Sequence, residues 1–196
     1  TKWKTAGDSL LAARRLARPD SEDILIVGAG TVARNLRAAY AAAFPGARFT
    51  VWNRTQEAAG RFADETGAMA ADDLALAVGE ADIVACATMS TEPVLQGAWL
   101  RPGTHVDLIG AFRADMREAD DEALARARVF VDSRATTVEH IGELLIPIRA
   151  GAFSAADVVA DFYEPDAFAR KSAEEITLFK NGGGAHLDLM TARYIL

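Results

Sequence analysis

An α/β fold with a doubly wound parallel sheet and helices on both faces is predicted by three observations. Short apolar runs alternate with amphipathic stretches at helical spacing. The runs are mostly apolar, the pattern of strands buried on both faces. The first run, Ile24–Val27, leads into Gly28-Ala29-Gly30-Thr31-Val32-Ala33, a G-x-G-x-x-A turn. Gly28 permits a tight strand-to-helix turn, Gly30 has no Cβ to hold a pyrophosphate off the backbone, and Ala33 lets the helix close on the strand. The helix N-terminus adds unpaired N–H groups for phosphates. Alone the turn is a weak signal. A strand before it, an alanine-rich amphipathic helix after it and a second strand on time make the prediction a Rossmann-type domain.

Thr5–Arg18 is expected to be a helix, with Leu10, Leu11 and Leu16 on one face and Pro19 as its stop. The run Ile24–Val27 is the first strand, Thr31–Phe44 the helix after it, and Pro45-Gly46 the break. Arg48–Trp52 is the second strand, and Thr55–Thr66 a helix ended by Gly67. Asp72 is read as the cap of a short helix to Val78, and Ala81–Ala87 as the third strand. The strand His105–Ile109 follows the Pro102-Gly103 turn. Asp115–Arg128 reads as a charged surface helix and Val129–Asp132 as the next strand. Residues 134–174 read as loops and short helices, and Ile176–Phe179 as the last strand. A final helix runs to about Ile195.

Composition narrows the function classes. A net charge of −7 with no basic stripe argues against nucleic acid. No apolar run approaches a membrane span, and no signal peptide precedes the first helix. The single cysteine, Cys86, lies in an apolar run and reads as a reduced core residue, which fits a cytoplasmic location. His105, His140 and His186 lack metal-ligand spacing, so no metal is expected. The run Arg117–Glu122 reads as a solvated helix face, and Trp3, Trp52 and Trp99 as packing residues.

The end of the second strand carries the most chemistry. NAD-preferring domains place Asp or Glu there, to accept from the ribose 2′-hydroxyl. This chain has Asn53-Arg54-Thr55, so the repulsive carboxylate is gone and Arg54 offers a planar cation to a 2′-phosphate. Alone, the trio would read as a surface arginine before an N-cap threonine. One βα unit after the glycine turn, it points to NADPH, with NADH as a second cofactor. Thr88 through Pro93 and Ile109-Gly110-Ala111 end the next two strands at the carboxyl edge, where such folds bind ligands. Asn181-Gly182-Gly183-Gly184 is either a third close-approach loop or a flexible linker.

Taken together, these motifs resemble the ornithine cyclodeaminase/mu-crystallin family. The likeness rests on Thr5-Ala6 with Ser9, Gly28-Ala29-Gly30, Trp52 to Thr55, Thr88 to Pro93, Gly110-Ala111, Arg117-Glu118 with Asp120, Val131 to Ser133, and Phe179 through Asp188. It implies that residues 1–196 are the dinucleotide domain of a homodimer, with 1–19 and 185–196 connecting to a substrate-binding and dimerisation domain. It implies that Ala29 and Thr31 line the pyrophosphate and that Asn53, Arg54 and Thr55 meet the adenosine phosphate. Thr88, Met89 and Ile109 would face ribose and nicotinamide. Lys4 stands where the family usually has an arginine near cofactor and substrate carboxylate, and Asn181 replaces a frequent serine.

One departure bears on the reaction. Cyclodeaminases of the family look as though they need an aspartate directly after the Gly110-Ala111 pair, where this chain has Phe112, and Met116 stands where they tend to have lysine. A phenyl ring neither donates nor accepts a proton. Trp3-Lys4-Thr5 and Gly110-Ala111-Phe112 are more similar to the family's bacterial cyclic-imine reductases. The expected reaction is therefore NADPH-dependent reduction of a cyclic ketimine carboxylate to L-proline or L-pipecolate, with a small imino or amino acid as partner. Ornithine cyclodeaminase activity and a non-catalytic NADPH-binding role are the alternatives.

Overall fold

The computed structural model describes residues 2–184 together with 188, 189, 192 and 193. In chain order the elements are α1 (Lys2–Leu16), β1 (Asp23–Val27), α2 (Thr31–Ala43), β2 (Arg48–Trp52), α3 (Gln56–Thr66), β3 (Met69–Ala70), α4 (Leu74–Glu80) and β4 (Ile83–Cys86). Then come β5 (His105–Leu108), α5 (Asp121–Arg126), β6 (Ala127–Val131), α6 (Arg134–Thr137), α7 (Gly142–Arg149), β7 (Val158–Ala160) and β8 (Ile176–Lys180). The strands form one eight-stranded sheet in the order β3-β2-β1-β4-β5-β8-β6-β7, with every pairing parallel.

Alternation along each strand feeds two cores. Leu25 and Val27, Val84 and Cys86, and Val106 and Leu108 face α4, α5 and α7. Ile24, Ile26, Phe49, Val51, Ile83 and Ala85 face α1, α2 and α3, where Leu36, Tyr40 and Phe62 are fully buried. Phe130, Phe168 and Phe179 extend that second layer under the far end of α1. Chain reversals follow local chemistry. Gly67 closes α3 in the left-handed region at φ +71°, a conformation that suits glycine.

Several expected elements shift. Asp73, not Asp72, caps α4, its side chain accepting from Leu76 N at 3.1 Å. The helix expected over Asp115–Arg128 shrinks to α5, capped by Asp120 through Ala123 N at 2.9 Å. The run before it is not solvated: Arg117 is 7% exposed and Glu118 is fully buried. Two short edge strands, β3 and β7, go beyond the sequence reading because they depend on long-range pairing. Trp3 is 70% exposed rather than packed. Trp52 and Trp99 do pack against the core, and Cys86 is buried as expected. His105 is buried and meets Thr177 Oγ1 at 2.9 Å. His186 and most of the final helix lie outside the described residues; Asp188, Leu189, Ala192 and Arg193 are helical.

Candidate cofactor site

The switch point of this sheet lies between β1 and β4, where the strand order reverses, and a cleft of about 530 Å³ opens at its carboxyl edge. Its walls bring together Gly28, Ala29, Gly30, Asn53, Arg54, Thr55, Thr88 and Met89. Gly28 sits at φ +111° and donates to Trp52 O at 2.8 Å, which fixes the turn to the end of β2. A Cβ there would lie 2.8 Å from Ala87 O, so both conformation and crowding demand glycine. Gly30 caps α2 without a side-chain hydrogen bond, and a Cβ on it would meet no atom within 4 Å. It would stand in open space at the N-cap of α2. Ala33 is fully buried and brings α2 onto the sheet.

These features fit a pyrophosphate. The first turn of α2 carries no acidic residue, so its N–H groups present an unopposed positive end. Arg34 folds back on the turn, donating to Ala29 O at 2.7 Å and Gly30 O at 3.3 Å, while its Nε pairs with Glu65 Oε2 at 2.7 Å. Asn53 braces the opposite wall through a 3.1 Å bond from Nδ2 to Thr55 O. Arg54 is exposed and forms no ion pair among the described residues. Thr31 is exposed at the first position of α2, beside the cleft.

Three sequence-predicted residues lie apart from these walls. Ile109 directly follows β5, with its side chain packed in the core and only 8% exposed. Asn181 directly follows β8, and its Nδ2 donates to the buried carboxyl of Asp8. Lys4 pairs with Asp188 at 2.7 Å. The glycines after Asn181 do not behave as a loose linker. A Cβ on Gly182 would meet Thr137 Oγ1 at 2.2 Å, and Gly183 N donates to Asp132 Oδ2 at 2.8 Å.

Beneath the cleft runs a polar layer that sequence reasoning missed. Lys180 is fully buried, and its ammonium donates to Leu108 O at 2.9 Å and Ala111 O at 2.8 Å. Glu118 takes hydrogen bonds from Thr88, Gly110 and Ala111, while Glu143 receives Glu118 N and Ala119 N, each at 2.9 Å. Burial and then the charge of Glu143 push Glu118 up to about 7, against the pull of Lys180. Asp107 is pushed up to about 7 by burial and Asp8 to about 8, by burial and then by Asp132 and Asp107. A signal was present for two of them: Asp107 stands between Val106 and Leu108, and Lys180 directly follows Leu178-Phe179.

A parallel sheet with a 3-2-1-4-5 core, a glycine turn at its reversal and a helix N-terminus aimed into the cleft defines a Rossmann-type dinucleotide-binding domain. The chain belongs to the ornithine cyclodeaminase/mu-crystallin family, whose model matches residues 1–196. It is 58% identical over 204 residues to Delta(1)-pyrroline-2-carboxylate reductase of Paracoccus denitrificans, covering all of this chain and 65% of that protein. The chain therefore spans just under two thirds of that relative's length. The structure of Thermococcus litoralis Delta(1)-pyrroline-2-carboxylate reductase in complex with NADH and L-proline superposes with a TM-score of 0.88 at 31% identity, over 97% of this chain and 62% of that one. An archaeal alanine dehydrogenase dimer with bound NAD gives 0.88 at 29% identity, over 97% and 61%. No helix among the described residues is long and apolar enough to cross a membrane.

Proposed function

We propose that this chain is the dinucleotide-binding domain of an NADPH-preferring reductase that converts a cyclic ketimine carboxylate, of the Δ1-pyrroline-2-carboxylate type, to the L-amino acid. The observation that carries it is the cleft that unites the glycine turn with Asn53-Arg54-Thr55 and Thr88. The cofactor when bound supplies hydride to the C=N carbon. The chain's own residues position it. The α2 N-terminus and Gly28–Thr31 hold the pyrophosphate, Arg54 and Thr55 read the 2′-phosphate, and Thr88 and Met89 border the reacting end, while Ile109 packs in the core after β5. Asn181 orders the adjoining β8 exit through Asp8. Lys4 serves the substrate carboxylate, exchanging its pairing with Asp188 for the substrate.

Phe112 supports reduction over deamination. It is 58% exposed beside Gly110-Ala111 and has no proton to exchange with an amine or water. The exposed Trp3, Leu11 and Leu189 support the reading that 1–19 and 185–196 connect to a substrate-binding and dimerisation domain, giving a homodimer. A cytoplasmic location fits the buried, reduced Cys86.

The test is consumption of NADPH by the full-length protein given Δ1-pyrroline-2-carboxylate, with NADH run in parallel. Faster oxidation of NADPH is expected. Ammonia release from L-ornithine with no net change in cofactor would make the protein a cyclodeaminase. Tight NADPH binding with no turnover of either substrate would make it a binding protein.

A further inference from the structure

We propose that Glu118 is the positioning residue of the cofactor cleft: it locks the Thr88 hydroxyl as a hydrogen-bond acceptor toward the ligand and clamps the β4 and β5 exit loops at a fixed spacing. The inference deepens the reductase reading and rests on it for the identity of the ligand. Glu118 Oε1 accepts from Thr88 N at 2.7 Å and from Thr88 Oγ1 at 2.6 Å. Its Oε2 accepts from Gly110 N at 2.6 Å and Ala111 N at 3.3 Å. One carboxylate thus takes donors from the ends of two neighbouring strands.

The surroundings are built for this approach. A Cβ on Gly110 would lie 1.7 Å from Thr88 O and 2.4 Å from Glu118 Oε1, so only glycine lets the two loops close on the carboxylate. The Glu118 backbone is held in turn: its N–H donates to Glu143 Oε2 at 2.9 Å, and its carbonyl accepts from Val94 N at 2.8 Å and Leu95 N at 2.9 Å. Glu118 itself is fully buried and does not line the cleft, so it acts on the cleft through Thr88, a wall residue, and through Gly110.

The polarity follows from valence. A threonine hydroxyl has one proton and two lone pairs. With its proton committed to Glu118, Thr88 turns only lone pairs toward the cleft. The ligand group beside it must therefore be a donor, either a ribose hydroxyl or the N–H of a carboxamide. A donor-seeking carbonyl oxygen in that place would be repelled. Misplacing this wall by about an ångström is enough to cost on the order of a hundredfold in rate.

The test compares Glu118→Gln, Thr88→Val and Thr88→Ser, singly and with Glu118→Gln combined with Thr88→Val, in the full-length protein. NADPH affinity is read by fluorescence, the imine reaction by its separate kcat and KM, and amide exchange at Thr88 and Gly110 in the ligand-free protein. Glu118→Gln, whose amide cannot accept from both loops, is expected to weaken NADPH at least tenfold, to lower kcat more than it raises the imine KM, and to speed exchange at both amides. Thr88→Val, which also serves if Glu118→Gln does not fold, should weaken NADPH about tenfold, while Thr88→Ser stays within threefold. The double variant should lose no more than the worse single one. A 3-acetylpyridine analogue of the cofactor lacks the carboxamide N–H. If it binds wild type weakly but Thr88→Val as well as NADPH does, the donor is the carboxamide; if it behaves like NADPH throughout, the donor is the ribose. Unchanged NADPH affinity in Glu118→Gln or in Thr88→Val, or strictly additive losses in the double, overturns the proposal. Wild type that binds NADPH and reduces no imine overturns the reductase reading alone.

Discussion

The phenol of Tyr40 donates to Asp107 Oδ2 at 2.9 Å in the fully buried layer between α2 and β5. The other oxygen of that carboxylate, Oδ1, has no hydrogen-bond partner among the described residues. Asp107 is pushed up to about 7 by burial, and the Tyr40 bond works against that rise. The native state therefore holds a proton that the unfolded chain has already released between about pH 4 and 7, and stability falls as pH climbs through that window. Tyr40→Phe removes the donor. It should cost about 1–3 kcal/mol in urea unfolding, with the larger loss above pH 7, where Asp107 is ionised.

Asp8 carries the same sign further. Its carboxyl is pushed up to about 8, and its Oδ1 also lacks a hydrogen-bond partner among the described residues. Stability lost with rising pH between about 4 and 8 should be regained in Asp8→Asn, which has no charge to bury. The melting temperature of Asp8→Asn relative to wild type should rise from about pH 5 to about pH 9, by an amount equivalent to on the order of 2 kcal/mol. A difference that does not change with pH would remove Asp8 from the titrating groups.

Arg54→Ala should weaken NADPH by roughly tenfold to a hundredfold, the range of a lost charge-assisted hydrogen bond. NADH should change by less than about threefold, since Arg54 forms no ion pair among the described residues. Titration calorimetry with both cofactors separates the two, and equal losses would sink the 2′-phosphate assignment.

Gly28→Ala combines a left-handed conformation with a Cβ 2.8 Å from Ala87 O. Backbone strain alone accounts for about 1–3 kcal/mol. The variant should unfold at lower denaturant and bind either cofactor poorly, whereas Gly30→Ala should keep its stability and lose binding only.

The glycine turn and the three residues after β2 were legible because their chemistry is local: a positive φ, a short reach, a missing carboxylate. The buried layer was not. The run Arg117–Glu122 has the same letters whether its charges face water or, as at Glu118, collect amide donors inside. What decides is the pairing with Thr88 and Gly110, residues from other strands, and no local pattern encodes that. The same holds for β3, whose two residues earn a place in the sheet only through Thr50 and Val51. Lys180 stood in plain view after Ile176–Phe179, where a charge at the end of an apolar strand marks either an exit or a buried partner.

The place of β8 in the sheet bears on how the chain assembles. It is the last described strand in sequence, yet it lies between β5 and β6, with Lys180 reaching Leu108 across 72 residues. Until residues 176–180 have left the ribosome and docked, the facing edges of β5 and β6 stay open, templates for pairing with another chain. Closing so distant a pairing is slow because the loop entropy is lost before the contacts form. Docking of this one strand joins the two halves of the sheet, and it brings the Lys180 ammonium to the carbonyls of Leu108 and Ala111 in the same event.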